Sequence, residues 1–339
     1  MGIVKPLLAA AVLGFAVPAA QAQVEVSVQG APAHGALKPW RDVRGFGRVL
    51  DLSKLPVVID EPGLYAIDRD WRIPRAAADV NPELICITVD GVTLDLHGFG
   101  IFADISAPPP STLITITGGG VEIRNGRLSA CCDGAVAVHS TGVGTRLHRL
   151  SMFSFETMTF EADSASLTES ILSLRQEVRF AGQSNLERNN LFCNRGFQCA
   201  RLLGDGNKVR GNQIHLFQGG GIAIVGGGNV VADNVIDVST AVDAGAAIEV
   251  GGDNNVVRGN TALLGGVTSA VYVIDGTANT LDGNIAAPPS GTTIPTQPAR
   301  TGMLFTVDGN YYGNNRMGAE VPFALGGTTQ TDWGGNVGY

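Results

Sequence analysis

Seven residues carry the most suggestive chemistry in this 339-residue chain: Arg124, Arg146, His148, Arg188, Lys208, Arg210 and Arg258. They occupy positions two and four residues ahead of recurring turns, on strands whose alternate side chains point outward. Arg179 and Arg201 stack on the adjacent strand. A guanidinium presents a planar donor fork that matches a carboxylate, so cations repeated along a rigid strand array suit a linear polyanion such as a uronic-acid polysaccharide. His148 inside the stripe, and His139 on the preceding strand, titrate near neutrality and are candidate general bases. With Arg188 and Arg210 beside it, His148 makes the best candidate for a catalytic group. The competing reading is solubility: Asp95 stands ready to pair with Arg124, and Glu122 with Arg146. Outward charge is also what an exposed strand ordinarily carries.

Other catalytic signatures are missing. The sequence holds no His-Glu-x-x-His helix, no Gly-x-Ser-x-Gly elbow and no phosphate loop. It has no Asp-Asp pair, whereas glycoside hydrolysis needs two carboxylates at a set separation. Glu249 is expected beside Tyr272 of the neighbouring coil, without a second outward acid. "GGDNN" (251–255) with Asp275 is the one candidate calcium site. Turn aspartates usually bond their own backbone instead. No other cofactor or metal is implied. Of five cysteines, Cys193 and Cys199 in "CNRGFQC" would close a small loop and form the disulfide candidate, leaving Cys86, Cys131 and Cys132 unassigned.

What must position these residues is a repeat. "NLERNN" (185–190), "NKVRGN" (207–212), "NVVADN" (229–234), "NVVRGN" (255–260), "NTLDGN" (279–284) and "NYYGNN" (310–315) put asparagines at Asn190, Asn212, Asn234, Asn260, Asn284 and Asn315, in steps of 22, 22, 26, 24 and 31 residues. Each period adds an alternating strand such as "GIAIVGG" (221–227) or "AVYVIDG" (270–276). A β period in the low twenties means a solenoid, and strands recurring in one sense must pair in parallel. Inward columns are expected to run from Ile87 and Ile116 through Phe160, Phe180, Leu202, Ile224 and Val250 to Val273. The asparagines are structural: they tolerate the left-handed backbone of a sharp turn, and stacked amides bond in a ladder.

On "PGLYAI" (62–67), "ITVDGVTLDLHGFGI" (87–101) and the later Asn repeats, the chain resembles right-handed parallel β-helix repeat proteins of the pectin-lyase-like superfamily, of the exported bacterial type. The resemblance implies an all-β, single-stranded right-handed parallel β-helix of about ten coils across 85–317. Residues 23–84 would cap the N-terminal end and 318–339 the C-terminal end, with a short helix near Arg75–Asp79. Lys5, the apolar stretch 6–17 and "AQA" (20–22) read as a Sec-type signal cleaved near Ala22, giving a secreted or periplasmic protein. Cleavage moves the net charge from −8 to −9, which argues against nucleic acid as a partner, and no later segment is apolar enough to span a membrane. Three functions stay open: an acidic-polysaccharide binder, a polysaccharide lyase or hydrolase on the same face, and an adhesive scaffold whose loop 286–300 contacts a protein.

Overall fold

The computed structural model describes residues 47–74, 78, 82–104, 112–131, 135–194, 198–238, 245–264, 270–287 and 301–338. All lie in the unit Val43–Tyr339. The segment expected to be a signal and Cys132 therefore fall outside the described residues, as does most of the loop 286–300.

The alternation seen in the sequence becomes three faces of a parallel solenoid. Face 1 is a sheet of twelve strands, from Val57–Ile59 through Glu83–Ile87 to Val321–Ala324. Faces 2 and 3 belong to one 23-stranded sheet. Face 2 includes Val92–Asp95, Lys208–Arg210 and Thr280–Asp282. Face 3 includes Gly100–Asp104, Asn190–Cys193 and Ile285–Ala287. The two faces join because Glu122–Cys131 and Arg146–Phe155 run unbroken through the corner between them. Every pairing among the described strands is parallel, and twisted strands favour a right-handed crossover at each return to face 1. The result is an all-β right-handed parallel β-helix.

Three buried columns fill the interior. Face 2 contributes Leu94, Ile123, Leu147, Leu167, Leu186, Val209, Val231, Val257 and Leu281 in strict register. On the face-1 strand Ala270–Ile274, Tyr272 and Ile274 point inward and Val273 outward, one residue from the expected placement. The Tyr272 hydroxyl, driven upward in pKa by burial, reaches the carbonyl of Ile285 at 3.1 Å. Phe160 and Phe180 stack at 5.0 Å in the same interior.

Two columns of buried asparagines line the corners. Asn207, Asn229, Asn255, Asn279 and Asn310 follow face 1, and Asn189, Asn212, Asn234, Asn260, Asn284 and Asn315 follow face 2. After the first member of each column, the side-chain oxygen accepts from the backbone of the asparagine one coil earlier, as Asn234 does from Asn212 at 3.0 Å. Its amide bonds onward, Asn234 to Asn260 at 2.9 Å. Asn190 is not in this column: Asn189 holds the place, and Asn190 starts a face-3 strand. The left-handed turn residue is also not the asparagine. It is the preceding one, Arg188 (φ 55°), Gly211, Asp233, Gly259, Gly283 or Asn314.

Val57–Ile59 and Gly63–Ala66 pair with the first repeats, and Val321–Ala324, Thr331–Asp332 and Val337–Gly338 pair with the last. These segments continue the parallel pairing at both ends. Near Arg75–Asp79, Ala78 alone is described; it is buried, and its amide bonds to the carbonyl of Pro74 at 3.1 Å.

Candidate functional site

The cationic residues do not form one stripe. Face 2 has two outward rows. One runs Glu122, Arg146, Ser166, Asn185, Lys208, Val230, Val256. The other runs Asp95, Arg124, His148, Thr168, Glu187, Arg210, Ala232, Arg258, Asp282. Neutral or acidic residues therefore separate Arg146 and His148 from Lys208 and Arg210, and Ala232 separates Arg210 from Arg258. Arg188 sits in the corner, outside both rows, because the register follows Asn189 and not Asn190.

Most of these cations already have partners. Arg124 bonds Asp95 at 2.8 Å and approaches Glu122 at 3.4 Å, and Arg210 bonds Asp233 at 3.0 Å. Burial opposes ionisation of Asp95, but the backbone amide of His97 and the Arg124 guanidinium hold its carboxyl below the usual range. Glu169 gathers three groups: Arg149 at 3.1 Å, Arg188 at 3.2 Å and His148 at 3.8 Å. The hydrogen bond from Arg149 leads in lowering its pKa. The other ring nitrogen of His148 lies 2.9 Å from the Thr168 hydroxyl. Two of the three catalytic candidates, His148 and Arg188, thus meet at a carboxylate absent from the sequence reading, and Arg210 is elsewhere.

Face 1 is organised differently. Its outward row runs His139, Thr159, Arg179, Arg201, Ala223, Glu249, Val273. Arg179 is bound by the nearly buried Glu177. His139 approaches Glu161 at 3.9 Å. At Ala223 the row of long side chains is interrupted, and a cavity of about 400 Å³ opens, lined by Arg201, Ala223, Glu249, Gln198 and the edge 224–225. Gln198 donates to the Glu249 carboxylate at 2.8 Å, across the intervening coil. It can lie there because Gly220 has no side chain; a Cβ would collide with the Gln198 amide. The strand bearing Gln198 and Arg201 is tied to face 3 by the Cys193–Cys199 disulfide, with Cα atoms 5.6 Å apart.

The notch thus places a guanidinium and a carboxylate on opposite sides of a small residue, about 10 Å apart along the stack at two strand spacings. No ion pair to Arg201 forms among the described residues, and Arg201 lines the cavity. One carboxylate with an amide beside it can orient hydroxyls. It cannot supply the acid and base pair of glycoside hydrolysis. The pattern was faintly legible: Arg201 and Glu249 are both outward on alternating strands, but only the register shows Ala223 between them. Glu249 faces Val273, and Tyr272 is in the core.

Remaining expectations resolve individually. Asp253 accepts from the Thr277 amide at 2.6 Å and its hydroxyl at 3.0 Å, stapling one coil to the next. Asp275 is bonded by Thr306. Among the described residues no group of three or more His, Cys, Asp or Glu side chains could hold a metal ion. Cys86 lies on face 1, with burial and Glu83 pushing its thiol up to about 11. Tyr312 packs in the core against Phe305 at 5.2 Å, while Tyr311 stacks on Trp333 at 6.3 Å. His215 is on the face-3 strand Gln213–Leu216.

No protein-family model matches the chain, and no curated protein matches it. Among solved structures it is similar to the A-module of the mannuronan C-5 epimerase AlgE6 of Azotobacter vinelandii, at 13% identity and a TM-score of 0.41, over 82% of this chain and 91% of that one.

Proposed function

We infer that the chain is an exported β-helix protein, of the pectin-lyase-like kind, that binds an acidic polysaccharide at the face-1 notch. The observation carrying this reading is Arg201, a guanidinium without an ion-pair partner among the described residues, opening onto a cavity that Glu249 and Gln198 close on the far side. A uronate carboxylate would take the arginine fork, and neighbouring hydroxyls would bond the Glu249 carboxylate and the Gln198 amide. Face 2 is the weaker candidate, since Arg124, Arg188 and Arg210 are spent on Asp95, Glu122, Glu169 and Asp233, and Arg146 and Arg258 stand in different rows several coils apart. The single carboxylate of the notch favours binding over a lyase or hydrolase.

Calorimetry with defined uronic-acid oligosaccharides tests it. Arg201→Ala is expected to weaken binding roughly tenfold or more, the scale of a charge-assisted contact. Arg188→Ala should leave the affinity unchanged. The wild-type affinity should fall as salt rises. Equal affinity for Arg201→Ala removes the notch as the site. Release of new chain ends from any polymer replaces binding with catalysis.

A further inference from the structure

The notch on face 1 holds two charges of opposite sign that do not pair with each other. Arg201 and Glu249 are in one outward row with Ala223 between them, so their backbones stand about two strand spacings apart, roughly 10 Å. Both side chains are half-buried, and both line the cavity of about 400 Å³. Among the described residues neither forms an ion pair, whereas Arg179, one coil before Arg201 in the same row, is held by Glu177. A charge partly withdrawn from water and left without a counter-ion favours a ligand group of opposite sign.

The Glu249 end narrows the chemistry further. Its carboxylate receives the Gln198 amide at 2.8 Å, a neutral donor that leaves the charge uncompensated. Hydroxyls would fill the remaining lone pairs but not balance the charge. A primary ammonium does both, with three N–H donors and a positive charge. A second carboxylate does not fit, because an unbroken run of uronates would seat one acid at Arg201 and bring another toward Glu249. The two ends therefore suit opposite charges on one ligand.

Resting on the acidic-polysaccharide reading of this notch, we propose that its ligand is a zwitterionic glycan. Arg201 takes a uronate carboxylate and, past Ala223, Glu249 takes the free ammonium of an amino sugar. Gln198 holds the Glu249 carboxylate in place for it. Glu249 is thus the residue that sets specificity, and Arg201 the one that supplies general affinity for acidic sugars.

The test is calorimetry of the full chain with two matched octasaccharides, one alternating glucuronate with N-acetylglucosamine and the other its de-N-acetylated form. They differ only in whether the amino group is an amide or an ammonium. The wild type is expected to bind the ammonium form roughly tenfold more tightly, the scale of one charge-assisted contact. That preference should shrink as salt rises from about 0.05 to about 0.5 M. Glu249→Gln should erase it while binding the N-acetylated sugar as the wild type does, which also shows that the variant is folded. Arg201→Ala should weaken both sugars. Equal wild-type affinity for the two sugars, or a preference that survives Glu249→Gln, overturns the proposal; if Arg201→Ala still weakens both, the acidic-polysaccharide reading stands. If neither sugar binds, or Arg201→Ala changes nothing, that reading falls and the proposal with it.

Discussion

Asn234, in the buried column, and Asn190, one residue past that column's Asn189, have opposite roles, and the difference is where their amides point. Asn234 is fully buried: it accepts from Asn212 and donates to Val209 and Asn260. Asn234→Ala orphans several of these groups at about 1–3 kcal/mol each. A loss of about 3 kcal/mol or more is expected from urea midpoints, against less than about 1 kcal/mol for the face-3 Asn190→Ala. Asp95 gives a pH signature. Its folded pKa is depressed, so its contribution is complete above the unfolded carboxylate range, near 4, and fades as pH falls through the lower folded value. Asp95→Asn should therefore be less stable than wild type at neutral pH, with the gap narrowing near pH 3. A gap that stays constant on acidification would show that Arg124 and the His97 amide do not hold the charged form.

At the scale of elements, the corners decide how closely coils approach. After face 1, glycines recur at Gly118, Gly142, Gly204, Gly226, Gly252 and Gly276, each against a carbonyl of the preceding coil. A Cβ at Gly252 would fall on the carbonyl oxygen of Gly226, so Gly252→Ala must push one coil off the next. The expected cost is about 1–3 kcal/mol, the usual toll of overpacking, read from the urea midpoint. The disulfide acts at the corner between faces 3 and 1, where it closes the short loop from Cys193 to Cys199. Reducing it should lower stability by about 2 kcal/mol on loop-closure grounds. It should also loosen the strand that carries Gln198 and Arg201, so uronate affinity should drop in reductant. Unchanged affinity would mean the parallel pairing alone positions the notch.

Across the whole molecule, stability should be graded. In a solenoid each coil touches only its neighbours, so terminal coils open at lower free energy than central ones. Here the asparagine columns sharpen that gradient. Both run together from Asn207 to Asn315 and end on Gln330 and Asn336, the latter bonded by Asp332 at 2.6 Å. Upstream, Ser170 takes the asparagine's place, accepting from Leu150 and bonded onward to Asn189. Hydrogen exchange should show the slowest amides in coils 207–287 and the fastest at 321–338. Uniform protection would mean the solenoid opens as one unit.

The sequence alone determined the repeat, because parallel coils force the same alternation of apolar and polar residues and the same corner residues every two dozen positions. It was enough to read three faces' worth of strands, a core and an asparagine stack. It left the register of "NLERNN" undecided by one position, since either Asn189 or Asn190 satisfies the spacing, and that slip alone put Arg188 in a strand it does not occupy. A side chain's neighbours in a β-helix lie a full coil away, some twenty residues along the chain, and coil lengths vary. Only the tertiary structure therefore decided that Arg124, Arg188 and Arg210 are partnered. It alone set Arg201 and Glu249 across Ala223.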